Sequence, residues 1–162
     1  MANCSYEFYT IHADSITTGA NGNSFVCKLF TSLKDVVQVS ILFESFDANT
    51  ESSNVCYLTI NELSSKFNEI TGKQVDSNIA VSASPSERAR FQNPFAIFET
   101  NSGRTIYKQN DYSTQTQFIT PIKRLDRLTF NLYGQNGTLI DLNSQDTFIS
   151  LRITCLRENL CP

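Results

Sequence analysis

Short runs in which apolar and polar residues alternate, separated by turn-forming residues, most constrain how this chain folds. The longest run extends from Asp35 to Phe46, and its alternating apolar positions are Val37, Val39, Ile41 and Phe43. The intervening polar positions are Gln38, Ser40 and Glu44. Because successive side chains of an extended strand point to opposite faces, a period of two predicts a half-buried β-strand rather than an amphipathic helix.

The same alternation, or a short apolar run, recurs along the chain and predicts further strands. We expect them over residues 24–30, 55–60, 95–98, 105–107, 118–122, 127–133, 138–141 and 148–155. The runs at 95–98 and 105–107 flank a turn-forming stretch, Asn101 to Gly103, and predict a hairpin with Phe95 and Ile97 on one face.

These runs predict an all-β fold made of about eight antiparallel strands, packed as a sandwich of two sheets. A chain of 162 residues is long enough to bury one core and too short for two full-sized domains, so we expect a single domain over residues 1–162. Among sandwiches the jelly roll uses eight strands, although periodicity alone leaves a Greek-key sandwich of another topology open.

The charge balance and the lack of long apolar runs argue against two classes of partner, nucleic acid and the membrane interior. Thirteen Lys and Arg residues against sixteen Asp and Glu residues give a net charge of −3, so the sequence predicts no extended basic face for nucleic acid. No stretch approaches the roughly 18 apolar residues of a membrane span, and the first residues lack the pattern of a signal peptide. We therefore expect synthesis in the cytosol.

Catalytic and metal-binding patterns are missing from the sequence. His12 is the one histidine, and no nucleophile elbow, phosphate-binding loop or zinc-protease motif occurs. Cys27, Cys56 and Cys155 lie in apolar runs and are predicted as core filling, whereas Cys4 and Cys161 lack the spacing of a zinc site. We therefore expect no enzyme activity, no catalytic residue, no cofactor and no metal.

The carboxy-terminal third carries a more specific signal. The run from Phe118 to Tyr133, followed by the Asn136-Gly137 turn and the run from Phe148 to Ile153, resembles the final strands of jelly-roll capsid proteins of nucleocytoplasmic large DNA viruses. The earlier apolar runs resemble the preceding strands of the same module, so that the resemblance extends from Phe25 to Leu156.

The resemblance implies a structural virion protein, made in the host cytoplasm and assembled into the capsid. The major capsid protein of these viruses is a double jelly roll, whereas this chain has room for one. We therefore expect a homopentameric penton at the five-fold vertices, or alternatively a minor capsid protein that cements capsomers. Residues 1–19 and 158–162 would be arms, and the expected partners are further copies of the chain and other capsid proteins.

Seven residues are candidates for the subunit interface. Four come from the amino-terminal segment, which is unusually apolar for a free tail, and three come from the densest basic cluster. They are Tyr6, Phe8, Tyr9, Ile11, Arg124, Asp126 and Arg127.

A carbohydrate-binding or other ligand-binding β-sandwich is the alternative of a different class, with a host surface glycan as its partner. It rests on analogy of fold and on an oxygen-rich loop, Asp47 to Asn54, that could hold Ca²⁺.

Overall fold

The computed structural model describes residues 5–18, 22–48, 54–64, 94–100, 103–108, 115–134, 137–142 and 146–157. Its seven strands are β1 (Tyr6–Asp14), β2 (Ser24–Ala48), β3 (Val55–Ile60), β4 (Ala96–Glu99), β5 (Gly103–Lys108), β6 (Gln115–Gly134) and β7 (Phe148–Leu156). Two short 3-10 helices, η1 (Ser15–Thr18) and η2 (Asn61–Leu63), follow β1 and β3. The described part of the chain is therefore all-β, as the alternation predicts.

All seven strands belong to one curled antiparallel sheet. The strand order is β1-β7-β2-β6-β3-β4, and β5 pairs with β2 beside that path. The antiparallel register runs through the whole of β1, from Tyr6 opposite Leu156 to Asp14 opposite Phe148. At the other end of the sheet, β3 lies between β4 and the last residues of β6.

Two strands are much longer than the rest and are interrupted by irregular pairing. β2 has 25 residues and β6 has 20, and each combines two runs that the sequence predicts as separate strands. Between the pairs Lys28–Arg127 and Leu33–Leu125, residues 29–32 of β2 lie opposite a single residue of β6. Between the pairs Val36–Ile122 and Gln38–Gln117, residues 118–121 of β6 lie opposite a single residue of β2. Such bulges bend a strand and increase its twist, which accounts for the curl of the sheet.

The core is formed by the apolar faces that alternation predicts in three strands. The buried residues of these faces are Cys56, Leu58 and Ile60 of β3, Leu128, Phe130 and Leu132 of β6, and Ile149, Leu151, Ile153 and Cys155 of β7. Because the registers are regular along these segments, every second side chain stays on the inner face.

The longest run does not keep a strict period of two. Register shifts against β7 occur between Val36 and Gln38 and again between Ile41 and Phe43. Val37 is the extra residue at the first shift and is only half-buried, whereas Val39 and Ile41 stay buried as predicted. The second shift turns the following side chains to the other face, so Glu44 is fully buried. The predicted inner position of Val37 and outer position of Glu44 are therefore wrong.

Three further expectations differ from the structure. β4 pairs with β3 and β5 pairs with β2, so residues 95–98 and 105–107 do not form the predicted hairpin. Phe95 is buried but Ile97 is 45% exposed, because β4 turns Ala96 and Phe98 inward. Residues 138–141 make an isolated bridge, Leu139 with Tyr133, rather than a strand.

The amino-terminal segment also differs from expectation. Nine residues of the predicted arm over residues 1–19 form β1, which is paired to β7 along its whole length and is an edge strand of the sheet. Polar and apolar residues mostly alternate in β1. That alternation is typical of a β-strand, so the apolar residues of this segment do not by themselves indicate a free arm. The second predicted arm, residues 158–162, lies outside the described residues.

Candidate functional site

The edge strand β1 exposes aromatic side chains on both faces. Tyr6 is 51% exposed, Phe8 is 67% exposed and Tyr9, which points to the other face, is 40% exposed. Ile11 is partly buried and packs against the core. Pairing with β7 fixes the positions of all four predicted contact residues, and three of them are largely accessible to a partner.

Tyr9 is also held by a local polar network. Its hydroxyl donates a hydrogen bond of 2.7 Å to Oε2 of Glu7, and Oε1 of Glu7 lies 3.4 Å from Nε of Arg157. The hydrogen bond to the carboxylate raises the pKa of Tyr9, with a smaller contribution from burial. The network ties the beginning of β1 to the end of β7.

The predicted basic cluster is arranged around the carboxylate of Asp126. Nε of Arg124 donates to both oxygens of Asp126, at 3.0 and 2.9 Å, and the hydroxyl of Ser32 donates to Oδ1. The hydrogen bond from Ser32 lowers the pKa of Asp126, and Arg124 lowers it further. Arg124 and Asp126 are both exposed, so a neighbouring molecule can reach the pair.

Arg127 faces a different acid. Its Nε lies 3.4 Å from Oε1 of Glu62 in η2. The same carboxylate accepts hydrogen bonds from the backbone N–H of Thr129, at 2.6 Å, and from the hydroxyl of Thr129, at 2.7 Å. Sequence analysis missed Glu62 because 67 positions separate it from Thr129. A polar cleft of about 470 Å³ lies beside these groups.

The two predicted contact regions lie apart in the sheet. Residues of β1 occupy one edge, whereas the cluster around Asp126 belongs to β6, and β7 and β2 lie between the two strands. The predicted residues of β1 therefore form a largely aromatic surface, and those around Asp126 form a charged surface on a different strand.

A groove that the sequence does not reveal lies next to the aromatic surface. It has a volume of about 370 Å³ and runs across four strands. Its lining residues are Tyr6 and Phe8 of β1, Thr154 of β7, Val37 and Gln38 of β2, and Gln117 and Phe118 of β6. Bulges bring Val37 and Phe118 into the lining, and strict alternation cannot predict a bulge.

Histidine, cysteine and carboxylate side chains are the groups that bind metal ions in proteins. No group of three or more His, Cys, Asp or Glu side chains in the described ranges is placed to hold a metal ion. His12 is exposed and stacks on the aromatic ring of Phe148, with a centroid distance of 5.9 Å. Most of the predicted oxygen-rich loop, Asp47 to Asn54, lies outside the described residues.

One carboxyl group is buried in the core. Glu44 is fully buried, and neither of its carboxyl oxygens has a hydrogen-bond partner within the described part of the chain. Burial raises the pKa of Glu44 well above its ordinary value. Burial also raises the pKa of the Cys56 thiol, and ionisation of Glu44 would raise it further. The protonated form of Glu44 is therefore the one that suits this core.

In the residues that the structure describes, no helix has the length and apolar character needed to cross a bilayer. The chain matches no protein-family model, and no curated protein matches it.

Proposed function

We propose that the chain is a structural capsid subunit with a single jelly roll, and that it forms the five-fold vertices of an icosahedral virion. The observation that carries the proposal is the pairing of the two long strands. β2 pairs with β7 over residues 36–45 and β6 pairs with β3 over residues 130–134, so that the one curled sheet divides into two groups of four strand segments, with β5 paired to β2 beside the first group.

The first group contains residues 36–45 of β2. Here β1 pairs with β7, β7 pairs with residues 36–45 of β2, and residues 36–40 of β2 pair with residues 115–122 of β6. In the second group, residues 24–28 of β2 pair with residues 127–131 of β6, β6 pairs with β3, and β3 pairs with β4. A jelly roll consists of two groups of four antiparallel strands, so this pairing supports the proposal.

A contact between the two groups supports the same arrangement. Phe46 lies in β2 directly after the segment of the first group, and Phe98 lies in β4 of the second group; β2 and β4 are not neighbours in the sheet. Their aromatic rings nevertheless meet at a centroid distance of 6.3 Å with an edge-on angle of 64°. Because both side chains are buried, this contact is what two facing layers with a shared core produce.

The surfaces also suit a subunit that assembles with its neighbours. β1 is a nine-residue edge strand without Lys or Pro, two residues that commonly protect an exposed edge. The Arg124–Asp126 pair carries both signs of charge at an exposed position, and Arg side chains bind carboxylates with two parallel hydrogen bonds. In a five-fold ring each subunit would contact the next through two different surfaces, of which we propose the charged cluster as one.

The native mass of the purified protein tests this proposal, by native mass spectrometry or light scattering at modest salt. We expect a species of about five times 18.2 kDa. Reversing both charges in Arg124→Glu with Arg127→Glu should dissociate it, whereas Arg152→Glu, which reverses an exposed charge on β7, should leave it intact.

Two other results would change the assignment. A monomer at high protein concentration would overturn the vertex role and favour a minor capsid protein that assembles only on its partners. Loss of the five-fold ring in Phe8→Glu, but not in the arginine variants, would place the subunit contact on β1. Point substitutions are preferable to deleting residues 1–12, because the deletion would remove most of an edge strand.

A further inference from the structure

The groove beside β1 has a lining that combines three kinds of chemistry. Tyr6 and Phe8 provide aromatic rings, Gln38 and Gln117 provide amides, and Thr154 provides a hydroxyl. No charged side chain of the described residues lines it. Its volume of about 370 Å³ falls in the range of small-molecule sites, which are roughly 300 to 1,000 Å³.

We infer that this groove binds a neutral saccharide. The inference goes beyond the capsid role, and it holds with or without assembly as long as no neighbouring subunit covers this face of the sheet. It requires only that Tyr6 and Phe8 face solvent, as they do in the structure of the single chain.

The aromatic side of the groove fits the apolar faces of sugar rings. Tyr6 and Phe8 are two positions apart on one strand, so their side chains leave the same face about 7 Å apart. They are 51% and 67% exposed, so their ring faces are open to a ligand. Aromatic rings of this kind pack against the C–H groups of a pyranose, and a row of two can contact adjacent sugar units.

The polar side of the groove fits hydroxyl groups. The strand registers place Phe8 opposite Thr154, Thr154 opposite Gln38, and Gln38 opposite Gln117, so the four residues form one row across the sheet. A glutamine amide both donates and accepts hydrogen bonds, as a sugar hydroxyl does. An anionic ligand such as a phosphate or a sialylated glycan would find no compensating cation in this lining.

The floor of the groove is set by the two bulges. Val37 is the extra residue of β2 relative to β7, and Phe118 begins the irregular stretch of β6. Bulges redirect side chains and interrupt the flat surface of a sheet, and they recur next to binding sites. A regular ladder would have left a flat row of side chains here, without a concavity to hold a ligand.

Saturation-transfer NMR on the full chain tests the inference, with lactose, N-acetyllactosamine, maltotriose and tri-N-acetylchitotriose as neutral probes and sialyllactose as the charged comparison. We expect a neutral probe to bind and sialyllactose to bind more weakly than lactose. Phe8→Ala should weaken binding about tenfold and Gln117→Ala about threefold, as expected for losing one stacking contact or one hydrogen bond. Phe30→Ala is the matched control, because Phe30 is fully exposed and is not among the residues that line the groove.

The variants are compared after thermal unfolding has shown that each is folded. The inference is overturned if no neutral probe binds, if Phe8→Ala binds as well as the unmodified chain, or if Phe30→Ala loses binding to the same degree. It is also overturned if Phe8→Ala removes the five-fold ring, because the groove would then be covered by a subunit; that result would leave the capsid proposal standing. Saccharide binding by a monomer would leave the present inference standing and overturn the vertex role.

Discussion

Nζ of Lys123 donates a hydrogen bond to Oδ1 of Asp35 at 2.7 Å and links β6 to β2 between the two irregular stretches of their ladder. Asp35 has a φ of 49°, the positive range that disfavours residues with a Cβ, and Asp and Asn tolerate it better than others. The Lys123 side chain is 82% exposed, whereas that of Asp35 is 12% exposed. We therefore expect removal of the Asp35 side chain to lower the free energy of unfolding more than removal of the Lys123 side chain.

Asp35→Ala should lower the free energy of unfolding by about 1 to 2 kcal/mol, because alanine fits a positive φ poorly and leaves Lys123 without its acceptor. Asp35→Asn should lower it by less than about 1 kcal/mol, because asparagine tolerates the same backbone conformation. Urea denaturation measures both. Equal losses in the two variants would contradict the backbone argument and would assign the effect to the charge alone.

Lys123→Ala is the matched control for the ion pair. An exposed lysine contributes little to a surface salt bridge, so we expect a loss of about 0 to 1 kcal/mol. A loss as large as that of Asp35→Ala would show that the charge pair, rather than the conformation of Asp35, stabilises this part of the sheet.

The Glu62 carboxylate connects η2 to β6 by accepting two hydrogen bonds from Thr129. Its side chain is 20% exposed, so water compensates only partly when the acceptor is removed. We expect Glu62→Ala to lower the free energy of unfolding by about 2 kcal/mol and Glu62→Gln by about half as much, since hydrogen bonds to a charged acceptor are the stronger ones. Urea denaturation is again the measurement.

Arg127→Ala provides the comparison for Glu62, because it removes the third partner of that carboxylate. Its side chain is 66% exposed, and we expect a change within about 0.5 kcal/mol. If Arg127→Ala were as destabilising as Glu62→Ala, the ion pair and not the hydrogen bonds to Thr129 would hold the helix in place.

The buried carboxyl of Glu44 makes stability depend on pH. Burial raises the pKa of Glu44 in the folded state well above 4.5, so the folded chain keeps a proton that the unfolded chain releases. Stability is therefore greatest below the unfolded pKa and falls as the pH rises from there towards the folded pKa, by up to about 1.4 kcal/mol per pH unit. Glu44→Gln, which cannot ionise, should remove this part of the pH dependence.

The measurement is the difference in unfolding free energy between Glu44→Gln and the unmodified chain across the acidic to mildly alkaline range. We expect the variant to gain relative stability as the pH rises. Glu99→Gln is the control, because Glu99 is exposed and its solvation changes little on unfolding. A difference that does not vary with pH for Glu44→Gln would show that the carboxyl has access to solvent or to a partner.

How far the sequence predicts the fold depends on whether a strand stays in register. Alternation assigns Leu128, Phe130 and Leu132 correctly to the core because the ladder there is regular. It fails in β2, where bulges leave Val37 only half-buried and bury Glu44. Whether a bulge forms depends on the partner strand. When that partner is distant in the sequence, the local alternation of polar and apolar residues does not indicate the bulge.

The surface features also divide into those that the local sequence predicts and those that depend on strand pairing. The local sequence alone identifies the aromatic residues of β1 and the charged residues around Asp126. The structure places both groups largely at the surface. The groove is not visible, because Phe8, Gln38 and Gln117 come together only through three successive strand registers. Glu62 was missed for the same reason, since its partner lies in another strand.

The three cysteines of the described strands should react with alkylating reagents at different rates. Burial raises the pKa of the Cys56 thiol well above its ordinary value, and burial, with the charges of Glu7 and Asp35, raises the pKa of Cys155 to about 11. Burial also raises the pKa of Cys27, which is only half-buried. The thiolate is the reactive form, so near neutral pH all three should react slowly, and Cys27 should react first because reagent can reach it.

Peptide-resolved mass spectrometry after iodoacetamide treatment measures these rates, with the same reaction in urea as the reference for accessible thiols. Cys56 and Cys155 should label only as fast as the sheet opens, so a destabilising variant such as Glu62→Ala should speed their labelling while changing Cys27 much less. Native labelling of Cys56 at the rate seen in urea would contradict its burial. Because Cys56 lies in β3 and Cys155 in β7, similar rates for both would further indicate that the two ends of the curled sheet open together as one cooperative unit.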